Sequence, residues 1–220
     1  MTLIVGIDEA GRGPVIGPMV ISAVSIKEED IHKLEEIKVK DSKQLSPAQR
    51  ENLFSKIKLI AYDYKILIIQ PKEIDEAVVS DDLNLNWLEA EKNALLINML
   101  KPDTAILDCP SNNIIAYRNY VKQRLENKKV KITAEHKADE RYPVVSAASI
   151  LAKVTRDAEI EKLKAKLGVD FGSGYPSDPK TKAFLEKYFE NERYKDIFRK
   201  SWAPYIHLVK RKKQRKLIEF

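Results

Sequence analysis

One cysteine, Cys109, occurs among 220 residues, which excludes an internal disulfide and a zinc site built from several thiolates. Its place directly after Asp108 fits packing better than nucleophilic chemistry. No run of eighteen apolar residues is present, so no membrane-spanning helix is expected. The chain enters a strand pattern at once, without a basic leader and cleavage site, and carries neither internal repeats nor a low-complexity linker. These absences predict a soluble cytoplasmic protein that makes no membrane contact.

What is abundant is charge. Asp, Glu, Lys and Arg make up 33% of the residues, with a formal net charge of +6 and a pI near 9.1. Such a surface attracts polyanions on average, although many basic proteins bind none. A chain of this length can bury a full core as one principal domain.

Apolar runs at 3–7 and 15–26, the second interrupted by Gly17-Pro18, read as the two strands of a hairpin. Further strands are expected at 60–69, 104–107 and 130–134. Helical periodicity predicts helices over 46–58, 85–100 and 114–126, and one long helix from Pro143 with Val144, Ala148, Leu151, Val154, Ala158 and Leu163 on one face. After a Gly, Ser and Pro-rich loop at 168–179, short helices are expected at 181–189, 194–200 and 207–217. Hairpin strands followed by alternating strands and helices predict an α/β fold: a mixed five-stranded sheet flanked by helices, with a C-terminal helical extension. The expected division is a sheet domain over 1–167 and the extension over 168–220.

Within this pattern, Leu3-Ile4-Val5-Gly6-Ile7 delivers Asp8 and Glu9 and then breaks into Ala10-Gly11-Arg12-Gly13-Pro14. The end of an apolar strand is an unfavourable place for two negative charges, because desolvated carboxylates need a cation or donors to stay ionised. Thr104-Ala105-Ile106-Leu107 delivers Asp108 in the same way. If the two strands are parallel neighbours about 4.8 Å apart, both acids emerge at one sheet edge. A fourth acid, Asp139, lies in His136-Lys137-Ala138-Asp139-Glu140, just before the helix at Pro143. Taken singly, Asp108 or Asp139 reads as a turn former or helix cap. Four acids together suit Mg2+ or Mn2+, whereas zinc would prefer His and Cys. Acids that hold ions, set in a basic background that holds a polymer, are what a metal-dependent enzyme acting on phosphodiesters needs.

Longer motifs add a resemblance. Gly6-Ile7-Asp8-Glu9-Ala10-Gly11-Arg12-Gly13-Pro14, Asp41-Ser42-Lys43-Gln44-Leu45, His136-Lys137-Ala138-Asp139, Ser146-Ala147-Ala148-Ser149-Ile150-Leu151-Ala152-Lys153-Val154 and Gly172-Ser173-Gly174-Tyr175-Pro176-Ser177-Asp178 stand in this order along the chain. In them the sequence resembles type 2 ribonuclease H, ribonuclease HII, of the archaeal kind. The resemblance implies a ribonuclease H-like core in which Asp8, Glu9, Asp108 and Asp139 bind two divalent ions, Mg2+ or Mn2+. It implies endonucleolytic cleavage of RNA in RNA-DNA hybrids and at single ribonucleotides in duplex DNA, by a monomer. It also implies that Gly11, Arg12 and Gly13 read the ribonucleotide, with Tyr175 packed on the neighbouring deoxyribose and Lys43 near the substrate phosphates. Without the family, Gly-Arg-Gly is a tight turn, Tyr175 a loop aromatic and Lys43 a solvated cation. His136 reads as structural rather than as a general base.

The tail carries a separate signal. Lys210-Arg211-Lys212-Lys213-Gln214-Arg215-Lys216 is a basic run suited to a phosphate backbone, or equally a solvated helix face. Gln214, Leu217 and Phe220 resemble the box by which replication and repair proteins dock on the sliding clamp, although the family-typical box ends in two aromatics and this one in a single Phe220. Two rivals remain at this point: a DNA nuclease of the same superfamily, and a nucleic-acid-binding module without catalysis. The first has no reason to keep Gly11-Arg12-Gly13 together with Tyr175. The second leaves four acids without a purpose on a surface that attracts phosphate.

Overall fold

The structure, a computed structural model, describes residues 1–39 and 46–218. Five strands form one sheet: β1 Leu3–Ala10, β2 Met19–Lys27, β3 Asp63–Ile69, β4 Thr104–Asp108 and β5 Lys131–Glu135. Their spatial order is β3-β2-β1-β4-β5. β1 pairs antiparallel with β2, from Leu3 opposite Lys27 to Ala10 opposite Val20. On its other side β1 runs parallel to β4, and β4 runs parallel to β5. The sheet is therefore mixed, as the order of strands and helices in the sequence predicts.

The described residues divide into two compact units, each discontinuous in sequence: Met1–Ala10, Val20–Ile68 and Leu85–Arg156 in the first, and Gly11–Met19, Ile69–Asn84 and Asp157–Phe220 in the second. The first unit holds the sheet with α1 (Ile31–Glu36), α2 (Pro47–Ile60), α4 (Leu85–Leu100), α5 (Ile114–Gln123) and α6 (Ala138–Arg141). It also holds the first half of α7 (Pro143–Leu167). The second unit holds α3 (Pro71–Val79), the rest of α7, α8 (Pro179–Tyr188) and α9 (Ala203–Ile218).

Why these residues form these elements is clear at several ends. α2 starts where Ser46 and Gln49 make a reciprocal capping box, the Gln49 amide donating to the Ser46 hydroxyl and the Ser46 amide to the Gln49 side chain. Asp178 accepts the Lys180 amide and starts α8. Ala147, Ala148, Ile150 and Leu151 of α7 are fully buried, sharing a core with Val24, Ile26, Leu34 and Ile57. The central strands are apolar on both faces for the same reason: β2 is buried along nearly its whole length.

Several boundaries differ from those expected. Residues 15–18 are not strand; Gly17 takes φ +87° and Ile16 makes an isolated bridge to Phe198, so β2 begins at Met19. α2 continues through Ile60, so β3 starts at Asp63, the apolar run at Leu59-Ile60-Ala61 belonging to the helix end and the turn after it. The short helix α1 and the helix α3 were not anticipated. Residues 194–200 form no α-helix: a single 3-10 turn spans Glu192–Tyr194, residues 195–197 continue as a turn in which the Ile197 amide donates to the Tyr194 carbonyl, and Phe198 then bridges Ile16. No helix among the described residues is long and apolar enough to cross a membrane.

Candidate active site

The register of the sheet determines where the acids go. Ile7 lies beside Leu107 in the parallel pair β1–β4, so Asp8 and Asp108 follow at the next position of each strand. β5 brings Glu135 opposite Asp108, and the chain then turns through Lys137, held at φ 56°, into α6. The first amide of that helix, Ala138, donates to Asp108 Oδ1 at 2.9 Å. Asp139 thus stands just before the helix at Pro143, as expected, and is carried on α6, a short helix that the sequence pattern does not predict. Ser146 on α7 donates to the Asp139 carbonyl and fixes that turn.

Side-chain direction then separates the acids. Gly6 lies against the Val144–Val145 backbone of α7, and residues two apart in a strand share a face. Asp8 therefore points to the α7 side, whereas Glu9 points to the other. Asp8 is 5% exposed, while Glu9, Asp108 and Asp139 are half-buried.

Burial pushes the Asp8 carboxyl well above the usual carboxylate range, and the charges of Glu9 and Asp108 push it further. The Glu9 amide, donating to Asp8 Oδ1 at 2.8 Å, pulls the other way. So does Ser149, whose buried hydroxyl stands near Asp8 without the geometry of a formed bond. Asp108 is raised as well, by burial first and then by the charge of Asp139, against the donation from Ala138. The four acids are thus coupled in a chain, Glu9 to Asp8, Asp8 to Asp108 and Asp108 to Asp139. Among the described residues no three His, Cys, Asp or Glu side chains stand close enough together to hold a metal ion as they are placed. The donor chemistry nevertheless fits hard divalent ions: carboxylate oxygens, one of them desolvated, with negative charge that a cation would relieve.

Neighbouring groups are structural. The His136 ring bonds the Cys109 carbonyl through Nδ1 at 2.7 Å, so that nitrogen is the donor. Burial pushes the Cys109 thiol up, which removes it as a nucleophile.

In the second unit Gly11 takes φ +83°, a backbone that L side chains rarely adopt. Gly13 is exposed, and a Cβ on it would meet the Tyr175 ring at 3.7 Å. The Val15 amide donates to the Gly174 carbonyl at 2.9 Å, so the Gly11-Arg12-Gly13 turn and the Tyr175 loop are tied to one another. The loop itself is held by Asp178, accepting from Ser173, and by Thr181, accepting from Gly174 and donating to Phe171.

A family model described as Ribonuclease HII matches residues 5–205. The chain belongs to the ribonuclease HII family. It is 54% identical over 200 residues to ribonuclease HII of Pyrococcus furiosus, covering 90% of this chain and 87% of that one. The crystal structure of ribonuclease H2 from Pyrococcus horikoshii superposes with a TM-score of 0.85 at 48% identity, covering 96% of this chain and 98% of the other. Ribonuclease HII of Archaeoglobus fulgidus, solved in complex with PCNA, superposes with a TM-score of 0.82 at 40% identity, covering 91% and 95%. Membership makes this chain an enzyme, a nuclease of the hydrolase class with ribonuclease H activity.

The sequence also places candidate site residues in the tail and in the second motif of this ribonuclease HII. Gln214 is exposed on α9. Lys43, Phe220 and the Leu217 side chain lie outside the described residues. Sequence reasoning passed over Gly6, Ser146, Ser149 and Arg199. For Gly6 a signal existed, since a glycine inside a strand marks close backbone approach.

Proposed function

We propose that this ribonuclease HII cuts the RNA strand of RNA-DNA hybrids and single ribonucleotides embedded in duplex DNA, with Asp8, Glu9, Asp108 and Asp139 holding two divalent ions, Mg2+ or Mn2+. The observation that carries the proposal is Asp8: a buried carboxylate, next to two other acids, whose proton affinity is raised by burial and by their charges. Bound there, the ions would lower the pKa of the attacking water and stabilise the leaving 3'-oxygen, giving 5'-phosphate and 3'-hydroxyl ends. The chain's own part is to hold the carboxylates. β1 and β4 present Asp8 and Asp108 in register, the Ala138 amide orients Asp108, and α6 supplies Asp139. Recognition falls to other residues. A 2'-hydroxyl marks RNA at a given site, and the Gly11 to Gly13 turn offers backbone that a sugar can approach closely, with Arg12 as a phosphate donor and the Tyr175 ring beside it. The family resemblance assigns a phosphate contact to Lys43, which lies outside the described residues.

The test is incision of a labelled DNA duplex carrying one ribonucleotide, beside all-DNA and all-RNA duplexes, in Mg2+, Mn2+ or EDTA. A metal-dependent nick on the 5' side of the ribonucleotide, absent from the other two duplexes and from EDTA, is the expected result. Cleavage of the all-DNA duplex, or of none, overturns the proposal.

A second element of the proposal is docking of a monomer on the sliding clamp through Gln214, Leu217 and Phe220. It is supported by the box-like spacing of the tail and by the Archaeoglobus relative solved with PCNA. Deleting residues 214–220 is expected to abolish clamp pull-down while the single-ribonucleotide duplex is still cut at close to the full-length rate in the absence of clamp. Retained pull-down would sink it.

A further inference from the structure

We infer that Arg199 and Trp202 are positioning residues for ribonucleotide recognition, a brace that aims the Gly11-Arg12-Gly13 turn. Arg199 stands beside Lys200 in the sequence, yet it is fully buried, among the largest side chains with no solvent exposure. A buried guanidinium needs acceptors for its five donors. Here Nη2 donates to the Gly11 carbonyl at 2.6 Å, Nη1 to the Arg12 carbonyl at 2.9 Å and Nε to the Gly17 carbonyl at 3.0 Å. Its own amide donates to the Val15 carbonyl at 2.9 Å. Trp202 completes the set: its Nε1 donates to the Gly13 carbonyl at 3.2 Å, and its ring lies 4.9 Å from the Arg199 guanidinium. All of these residues belong to the second unit.

The consequence follows from peptide geometry. Every described peptide bond is trans, and in a planar trans peptide the carbonyl of one residue and the amide of the next point in opposite directions. With the Gly11 and Arg12 carbonyls turned to Arg199, the Arg12 and Gly13 amides are directed to the other side of the turn. The third carbonyl, of Gly13, goes to Trp202, and the residue after it is Pro14, which has no N–H. The brace thus orients two adjacent amides, and Gly13 meets the Tyr175 ring at the same place. Two donors beside an aromatic face suit a hydroxylated sugar next to a deoxyribose. Arg199 touches neither; it determines the direction in which the donors point. Lysine cannot substitute, because one ammonium does not span three carbonyls in a fixed fork.

The inference rests on the proposed role of the turn in sensing the 2'-hydroxyl, and the experiment separates the two. Steady-state kinetics on a duplex with one ribonucleotide, and the Kd for an all-DNA duplex, are measured for the wild type, Arg199→Lys and Trp202→Phe, with thermal melts alongside. Sugar contacts made equally in ground and transition states appear in KM. Misaiming of a reacting group by about 1 Å can lower kcat/KM about a hundredfold. Arg199→Lys is expected to approach that loss, mainly through a raised KM, with an unchanged Kd for all-DNA duplex; Trp202→Phe is expected to move KM in the same direction by less. A lower kcat at unchanged KM, which loss of folded protein alone would produce, overturns the inference, as does wild-type KM in folded Arg199→Lys. Should Arg199→Lys fail to fold, Trp202→Phe decides: an unchanged KM overturns the inference. A wild type that cuts the ribonucleotide duplex no better than all-DNA duplex overturns both the inference and the role of the turn.

Discussion

Asp8→Asn is expected to lose hydrolysis by about a thousandfold or more, the upper range for deleting one electrostatic stabiliser of a transition state, and yet to melt at a higher temperature than the metal-free wild type at neutral pH. The two effects share one cause. Burial and the charges of Glu9 and Asp108 raise the Asp8 pKa in the folded protein. The unfolded chain keeps the ordinary value, about 3.9. Between those two values the folded state binds more protons than the unfolded one, so stability falls as pH rises. The contribution is fully present below the ordinary carboxylate pKa and is lost as pH climbs through the folded one. Asparagine has no proton to lose, and its carbonyl can still accept the Glu9 amide that Asp8 accepts at 2.8 Å. Melts in EDTA between pH 4 and pH 8 should therefore show a declining wild type and a flatter variant, the gap widening with pH. Added Mg2+ or Mn2+ should raise the wild type by mass action and the variant less. A variant that melts below the wild type at every pH, or that turns over at the wild-type rate, would refute the role given to Asp8.

The parts of this site that could be read from sequence are those encoded locally. An apolar run that ends in acid announces Asp8, Glu9 and Asp108, because a strand end and a buried charge both leave short-range marks. The parallel pairing of β1 with β4 was expected as a condition for bringing Asp8 and Asp108 to one edge, and the register agrees. Asp139 was recognised from its motif, but its element was not: α6 is four residues long and is held by the Asp108 and Ser146 bonds, neither of which has a periodicity. Arg199 was illegible for a stronger reason. Its three acceptors lie 182 to 188 positions earlier in the chain, and nothing in the surrounding residues distinguishes a buried guanidinium from a solvated one. Residues 15–18 misled for the converse reason, being apolar yet shaped by the Gly17 turn and by long-range bonds to Gly174 and Ile197 rather than by a ladder.

Gly6 carries the second large effect. A Cβ built on it would lie 2.4 Å from the Val144 carbonyl carbon, 2.5 Å from its oxygen and 2.5 Å from the Val145 nitrogen. All three are backbone atoms of α7, which cannot rotate away as a side chain could. Gly6→Ala must therefore move β1 and α7 apart, opening the core that Val144, Val145 and Ala148 share with Ile4 and Val24. Overpacking of this kind costs about 3 kcal/mol or more, a fall in Tm of roughly 6 to 12 °C for a chain of this size. The damage should extend to chemistry, because Asp8 lies two residues on along the same face of β1 and Ser146, on the same stretch of α7, donates to the Asp139 carbonyl. Half-maximal activity of the folded fraction should accordingly need several-fold more Mg2+. Truncating a side chain tests the cause: Gly6→Ala combined with Val144→Ala should melt no higher than Gly6→Ala alone, since removing isopropyl carbons relieves no backbone contact. A double variant restored toward the wild-type Tm would mean that side-chain crowding, not the approach of two backbones, makes glycine necessary beneath the acids.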